Sequence, residues 1–337
     1  MSPIIQQYGL KAQISNNIAT NNSHNMKEIL NTDAADIKEL IRLARKYKWA
    51  TGDVRSQLED AGVNLVRSDF YSESPSLREI ETSFEYKGAT GSNDSLAIFD
   101  DPVIFNMERI LSYAKNLVPF SESFDAPKEE TVAQFYWKNS QFSGTDAITL
   151  YSLIKKEKPK TVIEIGSGFS SHITARALSE LGGSRRLICI DPEPRTEISH
   201  LPGIEFVKSP IQEVDTMLFN QELDSGDLVF YDGSHTIKTG SDTVYFYLKV
   251  LPYLKKDLFV HSHDVRLPYP RNKKALMEAK LYWGEPYLLM AHLHNIRKYE
   301  VIFASDLIQR RFPDVAKSLI QEKFHSGGVS LWYRTLE

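Results

Sequence analysis

The chain has 337 residues, 42% of them hydrophobic and 25% charged, an ordinary globular composition long enough for one large domain or two modest ones. A net charge of −4 excludes a global basic field for nucleic acid or anionic lipid. The one cysteine, Cys189 in Leu187-Ile-Cys-Ile190, cannot form an internal disulfide, and its apolar setting predicts a buried core residue rather than a nucleophile. No signal peptide or membrane span is visible, so a cytoplasmic setting without membrane or nucleic-acid partners is the expectation.

Asn16, Asn17, Asn21 and Asn22 cluster in a polar start, and residues 1–24 are expected to be weakly ordered. Over 26–48 a helical stripe runs through Ile29, Leu30, Ile37, Leu40, Ile41 and Ala44, interrupted by Thr32-Asp-Ala-Ala-Asp36, which reads as the cap of a second helix. A mixed segment over 52–91 holds Phe70-Tyr71-Ser-Glu-Ser-Pro75. Helical periodicity returns over 100–118. The polar run from Ser121 to Glu130 is the expected boundary between a mainly helical N-terminal extension (1–130) and a second domain (131–337).

From Thr145 onward strands and helices alternate. The pattern predicts helices over 146–156, 170–181, 238–254 and 285–295. Strands are expected over 161–165, 186–190, 204–207, 227–231 and 258–261, with late strands over 301–303 and 329–333. Such alternation implies right-handed crossovers and an α/β fold, a doubly wound, mostly parallel seven-stranded sheet whose late strands form an edge pair with the last one antiparallel.

Chemistry is expected where parallel strands end at their carboxyl side. The segment Thr161-Val-Ile-Glu-Ile-Gly-Ser-Gly-Phe-Ser-Ser171 reads as strand, glycine turn and helix start. Glycine lets a ligand approach the backbone closely, and the helix start offers unpaired N–H groups. The turn lacks the third glycine of a dinucleotide fingerprint; Ser171 takes that place. Other strand ends carry Asp191, Asp232 and the pair His263-Asp264. Each Asp alone is as well read as a turn former or cap, but all four ends face one rim. Asp191 lies 23 residues after Gly168, where a carboxylate accepts hydrogen bonds from vicinal ribose hydroxyls and repels a 2′-phosphate.

These residues resemble the class I S-adenosylmethionine-dependent methyltransferases: Glu164-Ile-Gly-Ser-Gly168 in the first motif, Asp191 in the second and Asp232 after the fourth strand. The chain is more closely similar to a bacterial group of that superfamily linked to sugar or natural-product modification. That likeness rests on Phe70-Tyr71-Ser72, Phe142-Ser143-Gly-Thr-Asp146, Asp232-Gly-Ser-His235, His261-Ser-His-Asp264 and Tyr282-Trp-Gly-Glu-Pro-Tyr287, and covers roughly residues 65–335. The resemblance implies a Rossmann-like methyltransferase fold with S-adenosylmethionine as cofactor. Glu164, Gly166, Ser167 and Gly168 would shape the pocket for its methionine part, Asp191 would hold its ribose, and Asp232 would sit near its amino-acid end or the reacting centre.

Methyl transfer is an in-line displacement, so alignment is the enzyme's main task, and a hydroxyl acceptor gains from a base. His235 and His263 compete for that role, with Asp264 as the carboxylate that could orient an imidazole; His261 reads as a core residue. Asp232 and Asp264, with one or two of these imidazoles, could also hold a divalent metal, a lesser reading because a third acidic ligand is lacking. Trp283 and Tyr71 are candidate walls of an acceptor pocket, and 263–283 a candidate lid. The expected function is O-methylation of a small molecule or sugar hydroxyl in a biosynthetic pathway. N-methylation, or a non-catalytic nucleotide-binding protein of the same fold, is the alternative, and a homodimer stays open.

Overall fold

A computed structural model describes residues 34–66, 68–88, 96–131 and 134–336. The Asn-rich start, Ile29, Leu30 and Thr32 lie outside them. The chain divides into two compact units, residues 1–74 and 75–337. In the first, helices α1 (Ala34–Tyr47) and α2 (Gly52–Asp60) carry exposed intrahelical ion pairs, Arg42–Glu39 at 2.7 Å and Arg55–Glu59 at 2.8 Å.

The second unit begins with α3 (Leu77–Thr82), whose Ser76 and Glu79 form a reciprocal capping box. Helix α4 (Met107–Ser121) starts where the Asn106 side chain accepts from the Arg109 N–H at 2.9 Å, seven residues later than periodicity alone predicts. Helix α4 lies in the second unit, on the N-terminal side of the boundary expected at 130/131. Its Ile110, Ala114 and Leu117 are fully buried, and Arg109 donates to the carbonyl of Val301 at 2.7 Å.

Then follow α5 (Gly144–Glu157), β1 (Thr161–Ile165), α6 (Phe169–Leu181), β2 (Arg186–Ile190), β3 (Ile204–Val207), α7 (Met217–Glu222) and β4 (Leu228–Tyr231). The helix expected over 238–254 is broken into α8 (Asp242–Tyr245), a π turn (Phe246–Val250) and a 3-10 turn (Leu251–Tyr253). Ser241 caps it late by accepting from the Val244 N–H, and Pro252 removes a donor at its end. Strand β5 (Phe259–Ser262), α9 (Lys273–Met277), α10 (Glu285–Leu293), β6 (Tyr299–Ala304), α11 (Ser305–Arg311), α12 (Pro313–Ile320) and β7 (Leu331–Thr335) complete the chain.

The strands form one seven-stranded sheet in the order β3-β2-β1-β4-β5-β7-β6. The first five are parallel; β7 lies antiparallel between β5 and β6. Strands β1 and β4 are buried along their whole length, which is why they read as apolar runs rather than alternating ones. Helix α5 packs against α4, α6 and α12, and Cys189 is buried in the core as a free thiol. No helix among the described residues is long and apolar enough to cross a membrane.

Candidate active site

Parallel register creates the site. Ile165 of β1 pairs with Ile190 of β2 and Tyr231 of β4, and Tyr231 pairs with Ser262 of β5. The next residue of each strand therefore falls in one row: Gly166, Asp191, Asp232 and His263. Backbone bonds lock this row. The Gly166 N–H donates to Ile190 (3.1 Å), that of Asp232 to Ile165 (2.9 Å) and that of His263 to Tyr231 (3.0 Å). An open cleft of about 790 Å³ runs along it, lined by Gly166, Ser167, Gly168, Asp191, Asp232, His235, His263, Asp264 and Trp283 among others.

At the glycine end, Gly166 has φ +81°, and a Cβ there would meet the Asp232 carbonyl oxygen at 1.9 Å. Gly168 is different: its φ is −177°, and nothing lies within 4 Å of an added Cβ, so this backbone faces open space. The Asp191 carboxylate accepts from the N–H groups of Ser167 and Glu193, both at 2.7 Å. Glu164 does not line the cleft. It is fully buried, its carboxylate accepts from the Ser170 hydroxyl, and burial pushes its pKa up to about 8. It thus shapes the turn by anchoring the start of α6.

At the other end, the turn after β4 is pinned from both sides. Asp242 accepts from the Ser234 N–H at 2.7 Å and from the Tyr231 hydroxyl at 3.2 Å. His235 and Asp264 both hold left-handed backbone, φ +60° and +55°, a costly conformation for residues with side chains. His235 Nε2 lies 3.3 Å from Asp232 and 3.5 Å from Asp264, while its Nδ1 lies 2.7 Å from Glu285. Burial opposes charge on this imidazole, but Asp232 and Glu285 outweigh it and raise its pKa to about 10. Burial likewise pushes the Asp232 carboxyl up, and His263 and His235 more than reverse that, leaving it below its ordinary value.

The other imidazoles differ. His263 faces the cleft, its Nδ1 3.5 Å from the Ser330 hydroxyl and its ring 5.0 Å from Phe142. His261 is fully buried, stacked 3.9 Å from Phe230 and bonded to Ser330 at 2.8 Å, as a core residue should be. Trp283 packs against His235 (4.4 Å) and carries the Arg271 guanidinium 3.6 Å over its ring. Tyr71 belongs to the first unit, where its exposed ring packs 4.1 Å from Phe70.

Sequence reasoning missed the part of Glu285, which is fully buried and bonded to both His235 and the Tyr247 hydroxyl. Its only signal was an acid inside the motif Tyr282-Trp-Gly-Glu-Pro-Tyr287. Of the two imidazoles weighed as cation ligands, His235 is the one that stands with both carboxylates. The donor atoms of Asp232, His235 and Asp264 lie within 4.8 Å of one another.

The family model of a methyltransferase domain matches residues 163–265, from β1 to just past β5. An uncharacterised protein of Archaeoglobus fulgidus is 27% identical over 158 residues, 44% of this chain and 70% of its own length. Among solved structures, the O-methyltransferase of Bacillus cereus in complex with S-adenosylhomocysteine aligns at TM-score 0.35 and 10% identity, covering 72% of this chain and 100% of that one. The O-methyltransferase TomG of Streptomyces achromogenes, involved in tomaymycin synthesis, aligns at TM-score 0.34 and 13% identity, covering 68% and 90%. Likenesses of that depth carry no argument about the reaction. The chain thus carries a methyltransferase domain over residues 163–265, with a glycine turn and acidic strand ends on one rim.

Proposed function

We propose that the protein transfers a methyl group from S-adenosylmethionine to a hydroxyl oxygen of a small molecule, with sugars among the acceptors, in a biosynthetic pathway. One observation carries this reading: the glycine turn, Asp191 and the Asp232–His235–Asp264 cluster line a single cleft. The residues suit the cofactor. The Ser167 hydroxyl is buried there without a hydrogen-bond partner, and Gly168 leaves room beside it. Held at the glycine turn and Asp191, S-adenosylmethionine would supply a methyl carbon on cationic sulfur, whose bonding pair would stay on sulfur as the carbon passed to the acceptor oxygen.

The chain's own residues then divide the work. Asp191 accepts from the ribose hydroxyls. Asp232 and Asp264 offset the positive charge entering the cleft. Added positive charge also weakens the hold of His235 on its proton, which frees Nε2 to take the acceptor's proton. Trp283 walls the acceptor side.

A second reading keeps the transfer and adds a divalent cation. It is favoured by the three donor atoms within 4.8 Å of one another, two carboxylates and one imidazole. Such an ion, when bound, lowers the pKa of the acceptor hydroxyl.

Calorimetry with S-adenosylhomocysteine tests the cofactor assignment, and its failure to bind refutes the whole reading. Transfer of labelled methyl across a panel of hydroxylated and amino small molecules tests the acceptor class; label found only on nitrogen overturns O-methylation. Activity lost to a chelator and restored by a divalent ion decides for the second reading, and undiminished activity decides against it.

A further inference from the structure

Glu285 opens α10 with no solvent exposure, yet it is a carboxylate. A buried carboxylate is costly unless it is paired and hydrogen-bonded, so its partners show what it is for. Its Oε2 lies 2.7 Å from His235 Nδ1, and its Oε1 accepts from the Tyr247 hydroxyl at 2.6 Å. The Tyr247 oxygen lies in turn 2.7 Å from the Ser262 hydroxyl of β5. The backbone takes part too, since the Glu285 N–H donates to the His235 carbonyl at 3.2 Å. Trp283 lies against the imidazole ring, and a Cβ on Gly284 would touch Ile237 at 2.9 Å, so residues 283–285 are pressed against 235–237.

We propose that Glu285, itself held by Tyr247, is the positioning residue for His235: by engaging Nδ1 it leaves Nε2 as the one ring nitrogen offered to the cleft between Asp232 and Asp264. The proposal rests on the cleft being the site of methyl transfer. The geometry explains why so costly a group is kept. The imidazole sits on a strained left-handed turn and needs an external hold to keep its ring plane. Asp232 follows β4, Asp264 and His263 follow β5, and Arg271 stands behind Trp283; of these charged neighbours none engages Nδ1. A carboxylate on one imidazole nitrogen fixes which nitrogen carries the proton toward it and which faces the reaction, whether the latter serves as proton acceptor or as cation ligand.

The test is imidazole NMR on the full chain with labelled histidine at neutral pH, with His235 assigned by its loss in H235N. The wild type is expected to show a strongly deshielded, slowly exchanging Nδ1–H proton on His235. In E285Q that proton should move upfield and exchange at least tenfold faster, while S-adenosylhomocysteine affinity stays within threefold. Y247F should move it in the same direction by less, and it carries the test should E285Q not fold. An unchanged His235 signal beside intact S-adenosylhomocysteine binding overturns the positioning role alone. Absence of S-adenosylhomocysteine binding by the wild type overturns the transfer reading beneath it.

Discussion

A Cβ on Gly166 would lie 1.9 Å from the carbonyl oxygen of Asp232: the turns after β1 and β4 touch backbone to backbone. The strained φ of +81° adds to that clash, so Gly166→Ala should destabilise the fold by about 3 kcal/mol or more, read by chemical denaturation. Gly168 is its control. Its extended backbone accepts a side chain, so Gly168→Ala should cost no more than about 0.5 kcal/mol of stability. The new methyl should instead weaken S-adenosylhomocysteine binding by about tenfold or more, equivalent to about 1.4 kcal/mol. Equal stability losses at the two glycines would contradict this contrast.

Asp191 serves the turn and, by proposal, the ribose. Asp191→Ala should weaken S-adenosylhomocysteine binding by about 1–3 kcal/mol, the worth of charged hydrogen bonds. Isothermal calorimetry measures this directly, and an unchanged Kd removes Asp191 from the ribose site.

Asp264 faces His235 across the far end of the cleft, away from the glycine turn. Asp264→Asn should lower kcat for methyl transfer by about a hundredfold, the scale of a lost general-base or electrostatic contribution. The Kd of S-adenosylhomocysteine should change little. A variant that turns over normally would exclude Asp264 from the chemistry.

Glu164 makes stability depend on pH. Its carboxyl is raised to about 8 in the fold from an ordinary value of 4.5. Between those values the folded chain keeps a proton that the unfolded chain has released. Stability therefore falls as pH rises from about 4.5 and levels off above about 8, with this group contributing at most about 1.4 kcal/mol per pH unit. Glu164→Gln should flatten that slope, so that its denaturation midpoint gains on the wild type between about pH 5 and pH 8. Parallel curves for the two proteins would show that the proton is not held there.

Asp146 ties the segment before β7 to α5. Its buried carboxylate accepts from the Ser305 hydroxyl at 2.6 Å and from the N–H groups of Val329 (2.8 Å) and Ser330 (3.1 Å). Asp146→Ala strands three donors, two of them on buried residues, and should cost about 3 kcal/mol in denaturant, with no loss of S-adenosylhomocysteine affinity per folded molecule.

Much of this was legible in the residues. Strands β1 and β2 fall at their expected bounds, because largely apolar runs buried on both faces leave little ambiguity. The rim of Gly166, Asp191, Asp232 and His263 follows from the alternation alone. Glu285 was not legible in its role, since an acid in the first turn of a helix ordinarily reads as a complement to the helix dipole. Only packing α10 beside the turn after β4 reveals its partner. The same holds for His235 and Asp264, whose approach across 29 residues of chain is set by the register of β4 against β5. The helix expected over 238–254 failed at Ser241 and Pro252, where a cap and a missing donor overrode the apolar period.

Strand β7 enters the sheet between two strands that precede it in the chain, β5 and β6. Until residues 331–335 arrive, both of those strands present bare backbone donors and acceptors to solvent. A molecule with β7 undocked thus exposes the slot beside β5 to strand capture by a neighbour. A deletion reaching into β7 should turn a folding chain into an aggregating one, although no residue of that strand lines the cleft.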